Sequence, residues 1–290
     1  MAQVKTKKIA IASGKGGTGK TFLSSNLFRL LQKQGKKAVL VDCDAEVPND
    51  SIFFPLSQIE EHRVSMLCPQ VSLDACKFCG KCSEWCTYHA AVCISAAHYM
   101  KILPDLCHGC GACIHACPEG AIISSETEIG KVTSWSKTGS AEAIFFEARL
   151  KEGVHSPVKV INEAISWAEK SSVDYMILDA PPGCACPFVA TVMDADKVIL
   201  VTEPTPFGLS DLKHTVQVLR TLNKDFSVVV NRSDMGDDAL RNYLEDENIE
   251  LLGEIPYSEK IASIYSHGKL VVDEEPTLCS IFENLLSCIL

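Results

Sequence analysis

The stretch GKGGTGKT, Gly14 to Thr21, sets two lysines among four glycines. It fits the pattern GxxxxGK(S/T), whose glycines let backbone N–H groups point inward at phosphate oxygens. An apolar run, KKIAIAS (7–13), precedes it and a helical pattern follows, so a helix N-terminus adds partial positive charge at the same point. In such a loop Gly14, Gly16, Gly17, Thr18 and Gly19 form the phosphate cradle. Lys20 reaches the β- and γ-phosphates, and the Thr21 hydroxyl holds Mg²⁺. The pattern requires one lysine, which leaves Lys15 to be explained. Two further stretches, VDCDAEVPND (41–50) and DAPPG (179–183), put carboxylates at the ends of apolar runs. A buried carboxylate needs a partner. A metal shell supplies one; simple capping of a turn is the plainer role.

A second chemistry lies in the thiols. The chain has 15 cysteines, and eight of them form two runs of the form CxxCxxCxxxC. DACKFCGKCSEWCTYHAAV (74–92) aligns with DLCHGCGACIHACPEGAII (105–123), each cysteine of the first copy recurring 31 residues later. Asp74/Asp105 and Gly80/Gly111 match as well. This is the bacterial ferredoxin run for a 4Fe–4S cluster, in which the fourth cysteine of each run serves the other cluster. One cluster then takes Cys76, Cys79, Cys82 and Cys117, and the other Cys107, Cys110, Cys113 and Cys86. Two CxxC pairs could make a zinc ribbon, but two complete four-cysteine copies favour iron–sulfur. Thr87 stands where Pro118 closes the second copy, which removes no ligand. His89, His108 and His115 lie inside the repeat and are not needed as ligands. Cys184 and Cys186, in CACP, read as small residues at a helix start, with a metal shared across a dimer as the sharper alternative. Cys43, Cys68, Cys93, Cys279 and Cys288 read as small buried hydrophobes.

The elements that must position these groups have two textures. Both flanks alternate short apolar, β-branched runs with helical patterns. Strands are expected over 7–13, 37–42, 174–180, 197–203, 226–232 and 250–257. Helices are expected over 19–34 and near 157–171, 208–222, 236–247, 259–267 and 276–288. Strands apolar on both faces belong to a parallel sheet covered on both sides. The fold class is therefore α/β, a doubly wound, mostly parallel P-loop sheet, with an inserted bacterial-ferredoxin-like domain. Residues 124–150 give the weakest pattern.

Composition narrows the function classes. Of 290 residues, 47% are hydrophobic and 22% charged, as in an ordinary globular chain with a real core. A net charge of −10 with no basic run argues against a nucleic-acid surface. No apolar stretch reaches the length of a membrane span. The start, MAQVKTKKIAIASG, is too short an apolar run for a signal peptide, so a cytoplasmic chain is expected. The amphipathic end, LCSIFENLLSCIL, lacks the Lys/Arg face of a membrane-surface helix and reads as a packing helix.

The form KGGxGKT, with Lys15 ahead of the usual lysine, resembles the deviant Walker A loop of the ParA/MinD/nitrogenase-iron-protein class of ATPases. The resemblance implies that Lys15 reaches across a dimer to the other subunit's nucleotide, as an arginine finger does. It implies a switch I segment in which Asp44 positions or activates the attacking water, with Asp42 near the Mg²⁺ shell and Asn49 a secondary switch residue. Asp179 would act on Mg²⁺ through water, and Gly183 would sense the γ-phosphate. In VVVNRSD (228–234) Asn231 would bind the adenine, and the GEIPY loop (253–257), with Pro256, would close over it. With the cysteine runs, nearly the whole chain resembles MinD-superfamily P-loop ATPases with an inserted ferredoxin domain. The implied domains are 1–66 with 124–290, and the insert 67–123. The implied cofactors are ATP/ADP, Mg²⁺ and two 4Fe–4S clusters. The implied assembly is a nucleotide-dependent homodimer, or a heterodimer with a related ATPase, serving a redox partner or a metalloprotein client. Two functions follow: ATP hydrolysis that gates electron transfer through the clusters, or ATP-dependent carriage of metal or clusters. Positioning with redox-sensing clusters is a third. Two complete ligand sets favour permanent, redox-active clusters and hence the first.

Overall fold

The computed structural model describes residues 5–290. Along the chain it places β1 (Lys7–Ala12), α1 (Lys20–Lys33), β2 (Ala38–Asp42), β3 (Leu56–Leu67) and β4 (Gln70–Val71). Next come α2 (Lys81–Glu84), β5 (Ala91–Ile94), β6 (Tyr99–Ile102), α3 (Ala112–Ala116) and β7 (Ile122–Ile123). Then follow β8 (Glu126–Lys137), β9 (Ala143–Leu150), α4 (Val158–Ala168), β10 (Tyr175–Asp179) and α5 (Cys186–Met193). The rest comprises β11 (Lys197–Thr202), α6 (Pro206–Thr221), β12 (Phe226–Asn231), α7 (Ala239–Asp246), β13 (Leu251–Ile255), α8 (Glu259–Ser266), α9 (Val271–Glu274) and α10 (Pro276–Ile289).

A nine-stranded sheet runs in the order β13-β12-β11-β1-β10-β2-β9-β8-β3. Every pairing from β13 to β9 is parallel, as the apolar runs require. From β1 the chain crosses to β2 on one side, and from β10 it crosses β1 to reach β11 on the other. The strand order thus switches direction at β1, and ligands of open α/β sheets bind beyond the carboxyl ends of strands at such a point. The long strands β3, β8 and β9 are absent from the sequence expectation. β3 is an edge strand whose first eight residues are mostly exposed, Glu60, Glu61 and Arg63 among them, so it carries no apolar pattern. β8 buries hydroxyls alongside Ile129 and Val132: Ser134 and Ser136 donate to the Glu60 and Ser57 carbonyls of β3, at 3.4 and 3.5 Å.

The chain divides into two compact units. The first takes residues up to Glu61, Val132–Arg149 and Ile161–Leu290. Its core runs from Ile9 and Ile11 through Phe22, Leu27 and Phe28 of α1 to Phe282, Leu285, Leu286 and Ile289 of α10. The closing helix therefore packs, as its lack of a basic face suggests. Phe22 meets Phe282 edge-on at 5.5 Å and Tyr265 at 5.8 Å, a favoured aromatic geometry. The second unit takes His62–Lys131 and Leu150–Val160. It is built from the short helices α2 and α3, the β5–β6 hairpin and the β4–β7 pair. No described helix is long and apolar enough to cross a membrane.

Phe282 is fully buried against α1. Phe282→Ala should lower unfolding free energy by about 3–5 kcal/mol, read as a shift of the denaturation midpoint with an unchanged slope.

Candidate functional site

The glycine loop joins β1 to α1, and its backbone takes conformations that an L side chain resists. Gly17 has φ +80° and Gly19 φ +100°. A Cβ on Gly19 would lie 2.5 Å from Nδ2 of Asn231, which donates to the Thr18 carbonyl at 2.8 Å. Gly16, Gly17, Gly19, Lys20 and Thr21 line a cavity of about 370 Å³. The cavity's other walls include Asp44, Asn49, Pro182, Asn231, Arg232, Pro256, Tyr257, Ser258 and Tyr265, with Phe22, Ile261 and Ala262 adding apolar surface. The structure thus brings most of the expected nucleotide residues together. Gly14 stands behind the loop against Asp211, where a Cβ would lie 2.7 Å from the backbone. Thr18 is buried. Gly183 does not line the cavity; its N–H donates to Ser13 O at 3.1 Å. Asn231 takes a structural part alongside any role toward a base, since its Oδ1 also accepts from the Arg232 N–H at 3.0 Å.

Behind Lys20 and Thr21 lies an acidic cluster. Thr21 Oγ1 donates to Asp179 Oδ2 at 2.7 Å. Asp42 accepts three backbone N–H groups, from Asp44 at 3.0 Å, Asn49 at 2.8 Å and Asp50 at 3.1 Å. Carboxylate oxygens of Asp42, Asp50 and Asp179 lie within 4.8 Å of one another. Burial, then repulsion from Asp179, holds Asp42 and Asp50 well above the usual carboxylate range. Asp179 is pushed up to about 6 by burial, against the opposing pull of Lys20 and the Thr21 hydroxyl. Burial also raises Asp44. Asp50 is a site residue the sequence reading passed over. Its only signal is adjacency to Asn49, and its burial exists only once the chain is folded.

Lys15 is absent from the cavity wall. Its Nζ lies 3.4 Å from Glu203 Oε2, just past the end of β11. Glu203 also accepts from Arg232 Nη1 at 2.7 Å. The Lys15 ammonium therefore turns away from the cavity that Lys20 lines.

In the second unit the two cysteine runs fold alike. Gly80 and Gly111 take left-handed φ of 82° and 73° and start α2 and α3. The Ala90 N–H donates to Cys86 Sγ at 3.2 Å and the Ala121 N–H to Cys117 Sγ at 3.3 Å, the same bond in each copy. Cys82, Ala91, Met100, Ile102 and Ile122 form a small core on which Cys76, Cys86, Cys107, Cys113 and Cys117 pack. Burial pushes Cys82 up to about 11, with Cys93 and then Cys117 among the further causes. Burial raises Cys113, and Cys107 and Cys86 add to it. Cys117 thus lies near the first run and Cys86 near the second. Cys79 and Cys110, the second cysteines of the two runs, are exposed. Among the described residues no three sulfurs lie within 4.8 Å of one another. A collapsed zinc site would bring them to about 3.8 Å, as Zn–S bonds of 2.3 Å in a tetrahedron dictate.

Of the remaining cysteines, Cys43 and Cys68 are buried as expected. Cys93 and Cys279 are half-buried and Cys288 is exposed, because it falls on the outer face of α10. Cys184 and Cys186 are exposed at the start of α5.

Residues 9–271 match the model of the CobQ/CobB/MinD/ParA nucleotide binding domain. The chain is 29% identical over 278 residues to the uncharacterized protein MJ0579 of Methanocaldococcus jannaschii, covering 90% of each chain. It is 25% identical to the chloroplastic septum site-determining protein minD homolog of Arabidopsis thaliana, over 94% of this chain and 71% of that one. The fold is similar to the septum site-determining protein MinD of Pyrococcus horikoshii OT3, solved as a complex with Mg-ADP. That match has a TM-score of 0.59 at 19% identity and covers 98% of this chain and 96% of that one.

An acid raised to about 6 keeps its proton in the folded chain at pH values where the unfolded chain has released it. Asp179 therefore lowers stability as pH rises from the unfolded value to about 6, and the penalty is constant above it. In chelator, the wild type should lose unfolding temperature relative to Asp179→Asn across that window; parallel curves would refute the assignment. Gly19→Ala should abolish nucleotide binding, measured by titration with a fluorescent ATP analogue, because its Cβ would displace the Asn231 amide.

Proposed function

The chain belongs to the CobQ/CobB/MinD/ParA nucleotide binding domain family, and on that premise we propose that it is an ATPase coupled to a two-cluster ferredoxin module. It binds and hydrolyses ATP, dimerises when nucleotide is bound, and gates electron transfer from two 4Fe–4S clusters to a partner protein. One observation carries the first half of this reading: Lys20, Thr21 and Asp44 face a single cavity, with Asp179 bonded to Thr21.

The donor set fits Mg²⁺. Asp179 Oδ1 is buried without a hydrogen-bond partner beside the Thr21 hydroxyl, and hard oxygen donors suit this ion. Thr21 and Asp179 would hold it, and it would neutralise charge developing on the β- and γ-phosphates. The loop's N–H groups and Lys20 bind the phosphates and orient the γ-phosphoryl group. Asp44, raised by burial, orients the attacking water and accepts its proton. Pro256, Tyr257 and Tyr265 cover the base end of the cavity and exclude water from it. Lys15 leaves Glu203 and delivers its charge to the partner subunit's nucleotide, so turnover requires the dimer.

The thiols fit two four-iron clusters. Cys82 and Cys117 approach each other across the repeat, as do Cys113 and Cys86. Buried thiols with raised pKa are poor free thiolates, and metal ligation deprotonates them. Cys76, Cys79, Cys82 and Cys117 would hold one cluster, and Cys107, Cys110, Cys113 and Cys86 the other, for one-electron chemistry. The N–H groups of Ala90 and Ala121 stabilise negative charge on Cys86 and Cys117 and so tune the two potentials together. A carrier of clusters or metal would need exposed, shared ligands, and Cys184 and Cys186 are the exposed pair outside the repeats that could serve.

Lys15→Ala should abolish the ATPase rate that rises with protein concentration and leave monomer nucleotide affinity within about twofold; full activity would remove the trans role. Anaerobically reconstituted protein should hold about eight irons per chain, as two four-iron clusters require. Cys184→Ala/Cys186→Ala should keep that iron; loss of four irons per dimer would favour the carrier reading.

A further inference from the structure

Asp50 opens a single 3-10 turn, Asp50–Phe53, after the segment that carries Asp44 and Asn49. Its side chain is completely buried, and neither carboxylate oxygen has a hydrogen-bond partner. Those oxygens lie within 4.8 Å of carboxylate oxygens on Asp42 and Asp179. Asp179 Oδ1 is also buried and unpartnered. Asp42 differs: its two oxygens accept three backbone N–H groups, which fix its position. Three carboxyl groups in one dry pocket repel unless a proton or a cation sits among them. Neither Asp50 oxygen accepts a hydrogen from backbone or hydroxyl, so a proton held toward Asp179, or a cation in its place, meets the charge of the cluster.

We propose that Asp42, Asp50 and Asp179 form a preassembled site for a hard divalent cation, Mg²⁺ or Mn²⁺, that fills without nucleotide. In the ordinary P-loop arrangement the ion is held by a loop hydroxyl, an acidic residue and phosphate oxygens, so it arrives with the nucleotide. Asp50 changes that balance, because three protein carboxylates supply enough hard oxygen donors to retain the ion alone. The ion has a second effect. Asp42 accepts the backbone N–H groups of Asp44, Asn49 and Asp50. A cation bridging Asp42, Asp50 and Asp179 therefore ties residues 44–50 to the ends of β2 and β10 before ATP enters. The site stands whether or not the cysteine runs carry clusters, and whether or not Lys15 acts across a dimer.

The test uses the full chain, freed of nucleotide by phosphatase treatment, and Mn²⁺ as the probe. Electron paramagnetic resonance should count one tightly bound Mn²⁺ per chain, displaced by Mg²⁺. Asp50→Asn, close in size, should weaken that binding about tenfold or more. A measurement on the wild type alone guards against a variant that misfolds. Mg²⁺ should raise the unfolding temperature of nucleotide-free protein and slow amide exchange over residues 44–50. Either of two results overturns the proposal: Mn²⁺ that binds only after ATP or ADP is added, or an Asp50→Asn chain that binds Mn²⁺ as tightly as the wild type. Unchanged exchange over residues 44–50 with the ion bound would place the ion elsewhere and overturn it as well.

Discussion

The register of three parallel strands governs the site. Asp179 stands level with Ile11 of β1 on one side and with Asp42 of β2 on the other. Parallel strands carry every carboxyl end to one edge, and the glycine loop leaves β1 one residue later. One alignment thus places a phosphate cradle, two acids and, through the next turn, a third acid around one point. Moving a strand by one residue would send its acid to the other face of the sheet. The apolar cores of β1, β10 and β2 resist that slip, since every one of their buried side chains would move with it.

That alignment has an electrostatic consequence. Asp42, Asp50 and Asp179 are all buried, and burial is the largest influence raising each. A fold tolerates such a cluster only where something compensates it. Part of the compensation is visible in the backbone N–H groups on Asp42, the Thr21 hydroxyl on Asp179, and the charge of Lys20. None of it reaches Asp50, whose oxygens accept no hydrogen from backbone or hydroxyl. Unsatisfied buried carboxylates cost several kcal/mol in an ordinary core. Their presence here is best understood as stability given up for binding, and the large aromatic and aliphatic core under α1 and α10 offsets it.

The second unit uses a different logic. Its five-residue core is small, and cysteines take many of the places where larger side chains would pack. A unit of that size has little apolar area to bury, and metal ligation commonly supplies what such cores lack. The repeat gives the unit an internal near-symmetry: paired left-handed glycines, paired short helices and paired N–H···S bonds. Six of the chain's eight histidines, His62, His89, His98, His108, His115 and His155, also fall in this unit. Among them His108 stacks on Tyr88 at 3.8 Å and His98 meets Phe78 edge-on at 5.0 Å.

Much of this was legible in the sequence because its signals are local. A glycine loop between an apolar strand and a helix, the 31-residue cysteine repeat and the strand–helix alternation each depend on neighbours along the chain. The strand and helix positions in the flanks follow from apolar periodicity for the same reason. Tertiary structure decided the rest. β3 and β8 carry many charged or hydroxyl residues, and only pairing with neighbours makes them strands. Lys15 meets Glu203 across 188 residues of sequence, and Asn231 closes over Gly19 from a strand more than 200 residues away. Asp50 looks like one acid in a polar turn until the sheet buries it beside Asp42 and Asp179. Burial and long-range proximity set a carboxylate's chemistry, and neither quantity belongs to a residue until the chain has folded around it.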